Sequence, residues 1–191
     1  MIEYPKIDTM YERDERFSVT GVLKRPVLAS IDPWVVTEKV DGTNIRVHLT
    51  PGPLGEGATT VEEVRIGGRT ANAQLPSDLV AYLIKTFTLE KMQALRQDQD
   101  PVGITLFGEG YGAGIQNGGA YRKDKGFILF DVLIGDRWWL RDEAVTGIAE
   151  TLGIPRAPIL GQMSLPAIYE FVRAGFDSVV AEGRCKAEGI V

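Results

Sequence analysis

Two strand-like runs separated by three residues constrain the fold of this chain more than any other feature. Residues 34–40 (WVVTEKV) and 44–50 (NIRVHLT) are rich in the β-branched and aromatic side chains that strands favour. A third such run, 61–66, follows a loop of proline and glycine over 51–57. The sequence therefore predicts adjacent strands, the last two of them joined as a hairpin with a long tip.

Hydrophobic spacing predicts four helical segments further along the chain. The first opens at Ser77 and Asp78, and its apolar residues recur at helical spacing: Leu79, Val80, Leu83, Ile84 and Phe87. A second helical piece is expected to run to about Gln97. Asp142 and Ser164 are suitable N-caps for two more amphipathic helices, over 143–152 and 165–174.

The remaining strand-like runs are 103–107, 127–134, 137–140 and 187–191. Gly135-Asp136 has the composition of a two-residue hairpin turn, which would join the second of these runs to the third. Strands thus occur in adjacent runs with helices inserted between them, without strict alternation. This order predicts an α+β fold with mostly antiparallel sheets and flanking helices.

The composition is that of an ordinary soluble globular protein. The 191 residues are 44% hydrophobic and 25% charged, enough to bury a sizeable core in one domain. No apolar stretch has the length of a signal-peptide core or a membrane span, so we expect a cytoplasmic protein. With one cysteine and one histidine, Cys-rich and His-based metal sites are poor candidates. We expect His48 and Cys185 to be packing or surface residues.

The net charge argues against a broad cationic surface for nucleic acid. At −5, with an isoelectric point near 5.0, it has the wrong sign, because phosphate contacts need Lys and Arg. A nucleic acid or other polyanion would therefore have to bind at a local cluster of Lys and Arg residues. One local concentration of cations lies in or beside the predicted adjacent strands: Lys39, Arg46, Arg65 and Arg69.

The junction of the first two strands carries Lys39-Val-Asp41-Gly42. A lysine becomes a nucleophile only when burial or a cationic neighbour lowers its pKa, and an interior strand end supplies burial. Asp41 projects to the same face of an extended chain, and Gly42 permits a close approach by a ligand. The motif fits a nucleophile with a carboxylate beside it. Taken alone, however, the motif favours a salt-bridged surface lysine before a turn glycine.

Two glycine-rich segments carry further carboxylates. Residues 108–113 match the dinucleotide fingerprint G-x-G-x-x-G/A, but the following residues lack the apolar periodicity of the helix that such a loop must open. What remains is Glu109 at a predicted strand end. The chain also contains Glu188-Gly-Ile-Val and a weaker copy, Glu182-Gly-Arg, neither of which is informative by itself.

Taken together, five motifs occur in order: EKVDGTN from Glu38, GGRT from Gly67, FGEGYG from Phe107, GFILFDV from Gly126 and AEGIV from Ala187. This series resembles the covalent nucleotidyltransferase superfamily, which comprises ATP- and NAD-dependent polynucleotide ligases and messenger-RNA capping enzymes. Thr43-Asn44 directly after K-x-D-G is similar to the ATP-dependent RNA ligases typified by the second RNA ligase of phage T4. The resemblance covers roughly residues 34–191.

The resemblance implies a fold and a reaction. The fold would be the nucleotidyltransferase (ATP-grasp-like) domain of DNA and RNA ligases, with 1–191 as a single adenylyltransferase domain and 1–33 as its lead-in. Lys39 would attack the α-phosphate of ATP with the help of Mg²⁺ or Mn²⁺. The resulting lysyl-AMP would pass its AMP to the 5′-phosphate of RNA, and a 3′-hydroxyl would then displace AMP to seal the strand.

The resemblance also implies roles for other residues. Asp41 and Gly42 would support Lys39, and Glu188 would bind metal and take part in catalysis. The implied nucleotide contacts are Glu38 with adenine, Asn44 with the AMP phosphate, Arg69 with ribose and phosphate, Glu109 with a ribose hydroxyl, and Phe127 stacked on adenine. For Phe127 a core role is equally open, because Phe130 is close by.

Members of this family carry a further lysine-containing motif shortly after E-G-h-V. We therefore expect the sequence to lack that motif and any C-terminal domain, which puts the adenylation activity of this chain in question. The alternatives are a DNA ligase, a capping guanylyltransferase using GTP, and a non-catalytic nucleotide- or nucleic-acid-binding module that retains the fold.

Overall fold

The computed structural model of the protein describes residues 1–52, 61–96 and 102–191. Most of the predicted 51–57 hairpin tip, and Gln97, lie outside these residues. The strands are β1 (Tyr11–Arg13), β2 (Val19–Leu23), β3 (Trp34–Lys39), β4 (Thr43–Leu49), β5 (Val64–Gly68), β6 (Ile104–Tyr111), β7 (Gly126–Ile134), β8 (Trp138–Trp139), β9 (Ile159–Met163) and β10 (Gly189–Ile190). The helices are α1 (Ser77–Thr86), α2 (Leu89–Gln93), α3 (Asp142–Leu152) and α4 (Leu165–Ala174). None of the helices in the described part of the chain is both long and apolar enough to cross a membrane.

A five-stranded sheet forms the centre of the fold. Its strands run in the order β5-β4-β6-β7-β8, and every neighbouring pair is antiparallel. Gly135 and Asp136 have φ angles of 52° and 62°, as a type I′ turn between β7 and β8 requires. The predicted α+β class is therefore confirmed, and the turn lies at Gly135-Asp136 as expected. The strand register, however, pairs Ile134 with Trp138 and leaves three residues between them.

One face of this sheet forms the hydrophobic core. Ile45, Val47 and Leu49 alternate along β4 and are fully buried, together with Leu79 and Leu83 of α1. Burial of each such side chain contributes about 1.5–3 kcal/mol to stability. Ile84, which was predicted on the same helical stripe, is 60% exposed, because it lies at the solvent edge of α1.

The opposite face of the sheet is covered by the N-terminal segment, residues 1–7. Arg46 alternates with the core residues of β4 and therefore points to this face, where it is 1% exposed. Its Nε donates to the Gly68 carbonyl at 2.6 Å, and its Nη1 donates to the carbonyls of Met1 (3.2 Å) and Ile2 (2.9 Å). This buried guanidinium anchors the start of the chain to β4 and β5.

A second sheet of three strands, β10-β3-β9, is also antiparallel. In its register Gly189 lies opposite Lys39, and Ile190 lies opposite Glu38. Thr37 and Val191 exchange backbone hydrogen bonds of 2.8 and 2.9 Å beyond that pairing. This register brings residue 188 to the end of β3.

Several boundaries differ from the sequence-based expectation. Strand β5 begins three residues later than expected, and β6 continues four residues further. The N-cap of α3 is Arg141 and not Asp142, because the Asp142 carboxylate lies in the first turn and binds Arg156. The hairpin of β1 and β2 and the strand β9 were not anticipated, since all three strands are short and none of their residues is fully buried.

Candidate active site

A cavity of about 710 Å³ opens where the end of β3 meets the start of β4. Residues 4–7 and the middle of β7 complete its wall. We refer to it as the Lys39 cavity. Six of the residues predicted for the site line it: Glu38, Lys39, Gly42, Asn44, Arg69 and Glu109.

Lys39 is the last residue of β3, and its ammonium forms an ion pair with the Glu188 carboxylate. The pairing of β10 with β3 puts Glu188 there, one residue before the position opposite Lys39. The two side chains are 49% and 36% exposed, so a ligand in the cavity can reach the amine. Glu182, the competing Glu-Gly position, pairs instead with Arg122 at 3.6 Å.

Glu109 lies on β6 directly opposite Asn44 of β4. Burial raises the pKa of Glu109 from 4.5 to about 8; the nearby Lys39 opposes this shift, whereas Glu188 and Asp41 add to it. Burial therefore favours the protonated form of Glu109 at neutral pH. A bound cation, or a ligand that donates a hydrogen bond to the carboxylate, would lower the pKa of Glu109 and cause it to lose its proton.

Asp41 and Gly42 shape the turn after Lys39. The Asp41 carboxylate accepts two hydrogen bonds from Asn117, from the backbone N–H at 3.2 Å and from the side-chain amide at 3.0 Å. At Gly42 a Cβ atom would lie 2.4 Å from the Gly110 carbonyl oxygen and 2.8 Å from Cγ of Glu109. The glycine is thus required for contact between the turn and β6, and Asp41 positions the loop around Asn117.

Asn44 and Arg69 border the cavity with polar groups available to a ligand. The side-chain oxygen of Asn44 is buried and has no hydrogen-bond partner among the residues that the structure describes. An unsatisfied buried polar atom costs about 1–3 kcal/mol, which a donor on a ligand would offset. Arg69, just after β5, is exposed and borders the same cavity.

Glu38 precedes Lys39 and faces away from solvent, with 2% of its surface exposed. Its carboxylate accepts hydrogen bonds from the Ser178 hydroxyl and, at 2.9 Å, from the Val179 backbone N–H. The side chain therefore ties the segment around Ser178 to the cavity wall. Its implied contact with adenine stays a prediction.

Phe127 is not in the Lys39 cavity. Its side chain is fully buried in the core, with its ring 5.0 Å from Phe87 in an edge-to-face arrangement. Phe130 lines the cavity instead, because side chains alternate along β7 and a residue three positions after Phe127 points to the opposite face of the sheet. The core role that the sequence left open for Phe127 is the one it occupies.

The predicted concentration of four cations is only partly present. The guanidinium of Arg46 donates hydrogen bonds to backbone carbonyls of the N-terminal segment, and Arg65 forms an ion pair with Glu63, so neither lines the cavity. Lys39 and Arg69 are at the cavity, as expected. His48 and Cys185, predicted as packing or surface residues, are outside the cavity lining; His48 Nδ1 contacts Thr105 Oγ1 at 2.8 Å, and Cys185 is half-buried.

The sequence analysis missed a second group of polar residues in the cavity. Tyr4 donates a hydrogen bond to the Asp131 carboxylate, and its hydroxyl has a pKa raised chiefly by burial. Asp142 and Arg156 form an ion pair at 2.5 Å, and Arg156 also donates to the Thr146 hydroxyl. Lys6 lies on the wall beside Tyr4. No local motif marks these residues, because contacts between distant parts of the chain bring them together.

The arrangement combines an accessible amine, carboxylates close to it, and cations along the cavity wall. Such a site can bind phosphate groups and transfer one of them to the amine. No ready-made cluster of three metal-ligating side chains occurs among residues 1–52, 61–96 and 102–191. Mg²⁺ usually needs only one or two protein carboxylates, with substrate phosphates and water as its other ligands, so Glu188 and Glu109 fit such an ion.

We compared the chain with known protein families, curated proteins and solved structures. The sequence model of a family described as RNA ligase matches residues 32–191. No curated protein matches the sequence. A lysine-to-methionine mutant of Naegleria gruberi RNA ligase, solved with AMP and Mn, is 19% identical with a TM-score of 0.61, covering 83% of this chain and 45% of that one. A glutamate-to-alanine mutant of the same enzyme, solved with ATP and Mn, is 18% identical to this chain with a TM-score of 0.66. That match covers 98% of this chain and 53% of the other. The chain spans about half the length of these structures, which are similar to it in fold.

Proposed function

The chain belongs to the RNA ligase family, and from this premise we propose that it is the adenylyltransferase domain of an ATP-dependent RNA ligase. In this proposal the enzyme joins 5′-phosphate and 3′-hydroxyl RNA ends through a lysyl-AMP intermediate. The observation that carries it is the accessible Lys39 amine, paired with Glu188 in a cavity that also holds Asn44 and Arg69.

The first step is nucleophilic attack by Lys39 on the α-phosphorus of ATP. The ammonium must first lose a proton, and the Glu188 carboxylate is the acceptor in contact with it. A bond then forms between Nζ and phosphorus, while the bond from phosphorus to the α–β bridging oxygen breaks. Pyrophosphate leaves with that electron pair, and AMP remains on Lys39.

Positive charge on the cavity wall would stabilise the phosphate groups during this step. Lys6 and Arg69 line the cavity from two separate parts of the chain, and Arg156, which is paired with Asp142, lies on the same wall. The Asn44 side chain adds a polar contact near the end of β3. Fixed charges of this kind, oriented before the reaction, account for most of the catalysis in phosphoryl transfer.

A divalent cation, Mg²⁺ or Mn²⁺, completes the proposal. Glu188 would hold it, with Glu109 as a second carboxylate. When bound, the metal supplies positive charge to the phosphate oxygens. The raised pKa of Glu109 makes its carboxylate depend on such a cation, because burial favours the protonated form.

The same cavity would receive the nucleoside. Phe130, half-buried on its wall, replaces Phe127 as the aromatic candidate for contact with adenine, and Glu38 borders the same space. Glu109 and Arg69 would contact the ribose. The single half-buried cysteine agrees with a reducing compartment, and we propose a cytoplasmic location.

Covalent labelling tests the proposal. The full-length protein is incubated with labelled ATP, GTP or NAD and a divalent cation, and the adduct is detected after denaturation. We expect an adduct with ATP that Lys39→Arg abolishes, because the guanidinium keeps the charge but is not nucleophilic. The matched control is Lys91→Arg on the exposed surface of α2, which should label like the wild type. An adduct that persists in Lys39→Arg, or no adduct with any nucleotide, would overturn the proposal.

A further inference from the structure

The hairpin that ends the five-stranded sheet exposes two tryptophans on a short edge strand. Trp138 is 73% exposed and Trp139 is 43% exposed. Arg137 precedes them and Arg141 follows them, and both arginines are exposed. Large apolar rings that stay in solvent at a sheet edge commonly mark a binding surface.

The two tryptophans lie on opposite sides of the sheet. Trp139 lies opposite Leu133 and packs against Tyr4 and Phe107, with ring centroids 5.8 and 5.3 Å apart, so it belongs to the cavity side. Trp138 lies opposite Ile134, on the side of the core. Because side chains alternate along an extended chain, Arg141 is on the side of Trp139. Arg137 lies in the turn just before β8. We call residues Arg137, Trp139 and Arg141 the edge strip.

The edge strip continues the wall of the Lys39 cavity. Tyr4 contacts Trp139 through its ring and itself lines the cavity. Asp142, directly after Arg141, also lines the cavity, but Arg156 already neutralises its carboxylate. A chain that leaves the cavity past Tyr4 would therefore meet Trp139 next.

The charge of the edge strip is opposite to that of the protein as a whole. The net charge is −5, yet neither Arg137 nor Arg141 forms an ion pair within the described ranges. Asp136 adjoins Arg137 in the turn, and Arg141 is followed by Asp142, which is paired with Arg156, and by Glu143. An aromatic ring between two unpaired arginines is the arrangement that stacks a base and binds the phosphates beside it.

We propose that the edge strip binds the RNA strand adjacent to the end that reacts in the Lys39 cavity. A base stacks on the exposed part of the Trp139 indole, and flanking phosphates pair with Arg137 and Arg141. This inference rests on the proposed ligase function. It adds a site for RNA outside the nucleotide cavity.

Fluorescence anisotropy with a 5′-phosphorylated single-stranded RNA tests the edge strip, alongside sealing and adenylate formation in the full-length protein. Trp139→Leu keeps an apolar contact with Tyr4 but removes the indole, and Trp138→Leu is its matched control on the other side of the strand. We expect Trp139→Leu to weaken RNA binding and sealing about tenfold or more, with adenylate formation unchanged. Trp138→Leu should stay within about twofold of the wild type.

A second variant, Arg137→Gln with Arg141→Gln, does not alter the packing of Trp139. It should lower RNA affinity and reduce the dependence of affinity on salt, because two phosphate contacts are lost. Equal effects of Trp138→Leu and Trp139→Leu, or unchanged RNA binding in Trp139→Leu and in the arginine variant, would overturn the proposal. The proposal would also be overturned if these variants changed only the oligomeric state measured by sedimentation, since the edge strip would then be an interface between two copies of the chain. If the proposed ligase function itself is wrong, no lysyl-AMP adduct will form in the wild type or in any variant, which distinguishes that outcome from failure of the edge strip.

Discussion

Lys39 and Glu188 form an ion pair although 149 positions separate them in the sequence. The antiparallel pairing of β3 with β10 creates this contact, because Gly189 lies opposite Lys39. Asp41, only two residues from Lys39, binds Asn117 instead. The partner of the lysine is therefore decided by strand register and not by proximity in the motif.

Replacing Glu188 should abolish chemistry with little effect on stability. Glu188→Gln removes the charge and the proton acceptor, so we expect the rate of adenylate formation to fall about 10²-fold or more. The ion pair is partly exposed, so its loss should cost about 0–1 kcal/mol of unfolding free energy. Glu182→Gln, the matched change at the other Glu-Gly position, should label normally. A Glu188→Gln enzyme as fast as the wild type would exclude the proposed role.

Gly42 should not tolerate a methyl group. In Gly42→Ala the new Cβ would lie 2.4 Å from the Gly110 carbonyl oxygen, so the turn must move away from β6. We expect a loss of about 1–3 kcal/mol in the free energy of unfolding. Gly147→Ala in α3 is the control, where the added Cβ meets nothing within 4 Å and should stabilise the helix by about 0.5–1 kcal/mol. Denaturant titration of both variants checks the opposite signs, and equal effects would contradict this account.

The raised pKa of Glu109 should make stability depend on pH. Between 4.5 and about 8 the folded protein holds a proton that the unfolded chain has lost. The stabilisation from Glu109 is therefore complete below pH 4.5 and is lost as the pH rises through about 8. Glu109→Gln lacks this titration, so its melting temperature should rise relative to the wild type from pH 5 to pH 8 and then level off. A constant difference across this range would show that Glu109 is not raised in pKa.

Arg46 should be required to hold the N-terminal segment on the sheet. Arg46→Met keeps an apolar stem but removes the donors to the carbonyls of Met1, Ile2 and Gly68. We expect a cost of about 1.5–3 kcal/mol, with faster hydrogen exchange across residues 1–7. Arg65→Met on the neighbouring strand, which breaks an exposed pair with Glu63, should cost about 0–1 kcal/mol. Unchanged exchange in Arg46→Met would contradict the anchoring role.

Substitutions at Phe127 and Phe130 should have different effects, the first on stability and the second on nucleotide binding. Phe127→Ala removes a fully buried ring and should destabilise the protein by about 3–5 kcal/mol. Phe130→Ala should weaken ATP binding about 2- to 10-fold, as expected for loss of one aromatic contact. Thermal melts and equilibrium nucleotide binding measure the two effects. A larger loss of ATP affinity in Phe127→Leu, a milder change that keeps the core apolar, would return the stacking role to Phe127.

Elements with a strong local signal were predictable. The apolar runs of β3, β4 and β7, the helical spacing of α3 and α4, and the glycine turn at Gly135 agree with the structure. The shift of the aromatic position from Phe127 to Phe130 was not predictable, because alternation puts the two rings on opposite faces of β7 and only the packing of the sheet decides which face lines the cavity. The N-terminal wall of the cavity was also missed, since Tyr4 and Asp131 are 127 positions apart in the sequence and only the fold brings them together.

The sequence by itself determined the α+β class and the order of the motifs, and it predicted Lys39 as the nucleophile, because backbone preference and motif spacing are local properties. Only the tertiary structure decided which carboxylate pairs with Lys39, that Arg46 donates its hydrogen bonds to the backbone of Met1 and Ile2, and that Trp139 packs against Tyr4 while Trp138 lies on the other side of the sheet. These three outcomes depend on the register between strands distant in sequence, where a shift of one residue moves a side chain to the other face.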